Sequence, residues 1–184
     1  MTQIAAAPID GDAAPDPGVS RAEGIDASEY TRDVWRLRRL NLAREHGNIA
    51  GQIAFDQIPQ RWLWDLAKRY ARMRLSAGLS VTSVQRQQNV IALLADFIEE
   101  SDPRSTSAAA LTRDLLERWM ARTAQLNAAH PKTHAGHLSG IRGFLVACRR
   151  YGWDPSLPAL AELQPKDFPR RPRSGRRCPA PAPG

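Results

Sequence analysis

Eight residues, in three groups, combine cations, hydroxyls and an amide in the manner suited to phosphate contact. Arg69 and Arg72 lie in PQRWLWDLAKRYARMRLSA. Thr82, Gln85 and Arg86 lie in the next stretch, VTSVQRQQNV. Lys132, Thr133 and Arg142 lie in PKTHAGHLSGIRGFLVACRRY. Arg and Lys pair with phosphate oxygens, while hydroxyls and amides reach phosphates and base edges. Each group lies off the apolar stripe of its own helix, so a bundle that buries the stripes leaves all three outward. Around the first group, Arg61, Lys68, Arg69, Arg72 and Arg74 stand against the single acid Asp65. That face reads either as solvated or as a phosphate-facing patch.

Other chemistries find less support. His134 and His137 are three apart on a helix, but zinc takes three or four ligands and Cys148 lies three turns further on. No metal and no cofactor is expected. No Gly-rich phosphate loop, Ser-His-Asp arrangement or paired-carboxylate site stands out, so no small-molecule substrate is expected either. Cys148 sits on an apolar stripe and Cys178 in a Pro-rich tail, which argues against a disulfide framework and for a reducing cytoplasm. The start MTQIAAAPIDGDAAP has neither the basic nor the apolar part of a secretion signal, and no run is apolar enough to span a membrane.

Hydrophobic residues make up 42% and charged residues 24% of 184, an ordinary balance for one globular domain with tails. The net charge of +7 is unevenly spread. Residues 1–29 hold six acids and one base, so the remainder carries +12. A basic folded part points to an acidic partner, most often nucleic acid.

The elements that position these groups follow from periodicity. Residues 1–28, rich in Ala, Pro, Asp and Gly, are expected to be a disordered acidic tail. EYTRDVWRLRRLNLAR is read as a short helix, and NIAGQIAFDQI as extended chain or a short strand, so that 29–58 form an upstream extension. Pro59–Ala77 keeps Leu63, Leu66, Tyr70, Met73 and Ala77 on one face and ends at Gly78. Ser80 or Thr82 caps a helix to about Glu100, with Val84, Ile91, Leu94 and Ile98 inward. Its first turns, from Thr82 to Asn89, are expected to be free to face DNA. Thr112 caps a shorter helix with Leu111 and Leu116 as a hydrophobic staple. The last helix runs from Pro131 to Tyr151, with Leu138, Ile141, Leu145 and Cys148 as its stripe, and with Lys132, His134 and Arg142 off its centre. Gly136, Gly140 and Gly143 cost about 1 kcal/mol each inside a helix, which suggests close approach of another backbone. Residues 166–184 are read as a basic Pro-rich linker or tail. The fold class expected is all-α: a small orthogonal bundle of about four to five helices over 59–165, with disordered termini.

WLWDLAKRYARMRLSAGLSVTSVQRQQNVIALLADFIEE, LTRDLLERWMA and KTHAGHLSGIRGFLVACRRYGW stand in an order that resembles the core-binding domain of the tyrosine recombinases (phage integrase family). Thr133 and the pair Arg142 and Phe144 match the Thr and the Arg-x-Phe of that family's last core-binding helix. LPALAELQPKDFPRRP resembles the Pro-rich segment that leads to its catalytic domain. The resemblance covers roughly 59–172. It implies a sterile-alpha-motif-like bundle, double-stranded DNA as partner, and a role in DNA integration and recombination. The family's catalytic domain carries an Arg, a Lys, a His-x-x-Arg pair and a nucleophilic Tyr. None of His46, His130, His134 and His137 has Arg three positions on, and Tyr30, Tyr70 and Tyr151 all precede where the nucleophile falls. The expectation is therefore a non-enzymatic DNA-binding module, truncated before the catalytic domain, cytoplasmic and nucleoid-associated. A full-length recombinase or a separately encoded catalytic domain is a further partner to consider. The alternatives are a helical protein-interaction module and the non-catalytic half of a split recombinase.

Overall fold

A computed structural model describes residues 27–40, 42 and 51–169. The tails expected over 1–28 and 166–184 fall outside it as far as residue 26 and from residue 170 onward, and His46 and Cys178 are outside it too.

Among the described residues four α-helices form the body, and their ends follow local side-chain chemistry. Helix α1 (Arg61–Ser76) buries Leu63, Leu66, Ala67, Tyr70 and Ala71. It stops because Gly78 takes φ +81°, a left-handed conformation open to a residue without a Cβ. There the Gly78 N–H donates to Leu75 C=O (3.0 Å) and the Leu79 N–H to Arg74 C=O (3.1 Å), so the last carbonyls are satisfied. In α2 (Val81–Ser101) the cap is Ser80, whose Oγ accepts from the Ser83 N–H. Helix α3 (Arg113–Leu126) is capped by Thr112, whose Oγ1 accepts from the Leu115 N–H, with Leu111 and Leu116 both buried beside it. Helix α4 (Pro131–Arg150) starts on a proline that lacks only an N–H with no helical partner, and closes at Gly152 (φ +58°). The Trp153 N–H reaches back to Cys148 C=O there (3.0 Å). The expected stripes meet in one core: α2 packs on α1 and α4, and α3 packs on α4 and α2.

Upstream, the short helix expected over 29–44 does not form in the described part. Ala27–Thr31 is a 3₁₀ turn and Val34–Arg36 is strand β1, paired antiparallel with β2 (Gln52–Ala54) so that Trp35 lies opposite Ile53. Burial explains the difference. Trp35 and Leu37 are buried while Arg36 and Arg38 are exposed, which is the two-residue period of a strand. Arg36 and Arg38 are the outward side of that alternation. Glu29, fully buried, holds the turn against the strand. Its carboxylate accepts from the Arg36 N–H (2.6 Å) and pairs with Arg32 (3.3 Å). The extended reading of the β2 segment agrees with the structure.

The core therefore extends beyond 59–165. Trp35, Leu37, Leu40, Ile53 and Phe55 join the same cluster as the helices. Downstream, residues 154–168 fold back as a strap. Arg113 grips Asp167 through two hydrogen bonds (2.7 and 2.8 Å), and the Arg149 guanidinium donates to three strap carbonyls.

Candidate nucleic-acid interface

The structure distributes the eight expected residues over several surfaces. Arg69 and Arg72 are exposed on α1, but each is engaged by a neighbouring segment. Arg69 donates to Trp153 C=O (3.4 Å), and the Arg72 guanidinium lies 4.8 Å from the centre of the Tyr30 ring. On α2, Thr82 and Gln85 are half-buried, and the Gln85 amide donates to Gln52 C=O in β2 (2.8 Å). Arg86 is exposed and, among the described residues, has no ion pair or hydrogen bond.

Lys132 and Thr133 are exposed at the start of α4, where the first-turn N–H groups carry partial positive charge. Arg142 comes nine residues after Thr133, half a turn around a helix of 3.6 residues per turn. It faces the strap, 6.0 Å from the Phe168 ring centre. The third expected group is thus two surfaces, because nine residues reverse the direction of a helical side chain.

What the structure brings together is Arg86 and Thr133. Both line an open groove between α2 and α4 with Gln87, Asn89 and His137. Gly136 and Gly140 form part of its wall. A Cβ on Gly136 would meet nothing within 4 Å, so a ligand can approach that backbone closely. Burial holds the His137 imidazole below its usual pKa, with His134 adding to the effect, so the groove carries Arg86 as a fixed charge.

Three expectations about these faces change. Lys68 does not belong to a solvated basic face. It is buried under the upstream hairpin, its ammonium donating to Arg32 C=O (2.7 Å) and lying 3.8 Å from the Trp64 ring centre. Burial lowers its pKa to about 8, against the opposing pull of Asp33. Gln88 is turned inward, its amide directed at Ala67 C=O (3.5 Å), so the first turns of α2 are only partly free. His134 is buried with the stripe instead of flanking it. The periodicity of α1 places Lys68 one residue from Ala67 on the edge of the stripe, and an edge position is decided by what packs there.

Tyr70 is buried edge-on against Phe144, and burial raises the pKa of its hydroxyl. Tyr151 is exposed and stacks on Trp153. Cys148 is buried, and burial pushes its thiol up to about 12. Among the described residues no three His, Cys, Asp or Glu side chains are grouped to hold a metal ion, and no helix is long and apolar enough to cross a membrane. No family model, curated protein or solved structure matches the chain.

Proposed function

We propose that this chain is a DNA-binding helical module of the kind the tyrosine recombinases use as their core-binding domain, and that the α2–α4 groove is where it meets the duplex. The observation that carries the reading is the convergence of Arg86 from α2 and Thr133 from α4 on one groove with Gln87 and Asn89. An unpaired guanidinium, a hydroxyl and two amides are donors suited to phosphate oxygens, and the amides also suit base edges. Lys132 adds a second cation at the start of α4. The net charge of +7 supplies a long-range attraction that does not depend on sequence.

In this reading the chain acts by binding and cleaves no strand by itself. A tyrosine nucleophile must be reachable and easily deprotonated; the buried Tyr70 is neither, and the sequence holds no His-x-x-Arg pair to serve the exposed Tyr151. Strand cleavage and joining would fall to a recombinase partner.

Titration of a labelled duplex at several salt concentrations tests the reading. Binding is expected in the range of about 10⁻⁴ to 10⁻⁶ M that a sequence-independent contact gives. Arg86→Ala is expected to weaken it and to reduce the salt slope by about one unit. Because Arg86 is exposed and unpaired, its thermal midpoint should stay nearly unmoved. A duplex affinity that Arg86→Ala and Lys132→Ala together leave unchanged at low salt would remove the groove from the interface.

A further inference from the structure

Five large apolar side chains are well exposed among the described residues: Leu93, Leu126, Val146, Tyr151 and Leu160. Four of them form two patches that differ in charge. Leu93 (42% exposed) and Leu126 (69%) line one hollow of about 160 Å³ between α2 and α3, with Phe97 beside them. Its rim carries Asp96 and Glu100. Arg122 is matched by Glu100 (3.5 Å), while Asp96 has no ion pair or hydrogen bond among the described residues. Helix α3 ends at Leu126, so the partial negative charge of its carbonyl end adds to the rim. With Asp96 and Glu100 against Arg122, this apolar groove is acidic on balance in a chain of net charge +7.

The second patch is the outer stripe of α4. Arg142, Val146 and Arg150 follow one another at intervals of four, all exposed, with Tyr151 (54% exposed) next to them. The stripe is apolar at Val146 and basic on both sides. It complements the groove in charge and in apolar character.

The two patches face opposite ways. His137 lines the acidic groove, and Val146 comes nine residues later, about 180° around the same helix. One copy cannot place its own stripe in its own groove. We propose that copies of this chain associate head to tail, the α4 stripe of one seated in the acidic α2–α3 groove of the next. Val146 then meets Leu93 and Leu126, and the arginines of the stripe meet Asp96 and the outer side of the Glu100–Arg122 pair. Such a contact uses two different surfaces, so each copy keeps one surface of each kind for further copies. It stands on these two patches and does not depend on the nucleic-acid reading.

Sedimentation of the full chain, freed of nucleic acid by nuclease, tests this over a range of concentration and salt. The expected result is an average mass that rises with concentration and falls back as salt screens the charged pairs. Leu126→Glu disables the groove and Val146→Glu the stripe. Both positions are exposed, and an unchanged helical signal and thermal midpoint will confirm the fold. Each variant alone is expected to associate about tenfold more weakly or worse. An equal mixture of the two is expected to recover a one-to-one dimer and nothing larger, because one retains the stripe and the other the groove. A wild-type chain that is monomeric throughout, variants that associate like the wild type, or a mixture that stays monomeric would each overturn the proposal.

Discussion

Gly136, Gly140 and Gly143 meet three different surroundings on one helix. A Cβ on Gly143 would stand 2.9 Å from Tyr70 Oη, a distance that real contacts do not hold. One on Gly140 would touch the Val90 side chain at 3.5 Å, an ordinary contact. One on Gly136 would meet nothing. Gly143 thus lets α4 close over the Tyr70 hydroxyl, while Gly136 leaves the groove open. Opposite signs follow for one substitution type. Gly136→Ala is expected to stabilise the fold by about 1 kcal/mol, the helix-propensity gain. Gly143→Ala is expected to destabilise it by about 1–3 kcal/mol through overpacking. Adding Tyr70→Phe to Gly143→Ala removes the colliding oxygen and should recover most of the loss. Urea unfolding of the four chains reads all of this, and a stabilising Gly143→Ala would contradict the packing.

At the scale of elements, the upstream hairpin is held to α1 by Lys68. Its ammonium donates to Arg32 C=O and sits between the Trp64 ring (3.8 Å) and the more distant Trp35 and Phe55 rings (5.8 and 5.9 Å). Cation–π contact and one hydrogen bond offset only part of the lost hydration, so the folded pKa falls from the ordinary 10.5 to about 8. Between about 8 and 10.5 the unfolded chain holds a proton that the folded chain has released. Stability contributed by this residue therefore rises with pH across that window, and below it the cost of burying the charge stands in full. Lys68→Met should lack this rise. Denaturation midpoints of both chains on either side of the window will show it. A difference between them that does not change with pH would mean that the amine keeps its charge in the fold.

Over the whole molecule, the hydrophobic core is one cluster drawn from the hairpin, the four helices and the strap, with Ala161 and Leu163 contributed by the last. A chain beginning at Pro59 would lose Trp35, Leu37, Leu40, Ile53 and Phe55 from that cluster, all nearly inaccessible to solvent. It is expected to melt well below a chain beginning at Ala27, since replacing Trp35 alone by Ala costs about 3–5 kcal/mol at such a site. Equal midpoints for the two chains would show that the hairpin adds no stability. The helices themselves were legible in the sequence. Their apolar spacing, the Thr112 cap and the glycines at 78 and 152 are local signals, and local signals act on the residues that carry them. The hairpin was not legible as such. The alternation of Trp35 and Leu37 with Arg36 and Arg38 is a strand period only two pairs long, broken at Arg39, and the core beneath Trp35 and Leu37 is what fixes it. The same holds for the surface. The sequence placed Arg86, Thr133 and Arg142 outside the apolar stripes, because that depends on position within one helix. Which of them share a groove depends on how α2 and α4 are rotated against each other. Gly140 lies against Val90 of α2 and Gly143 against Tyr70 of α1, relations between helices that no single helix encodes.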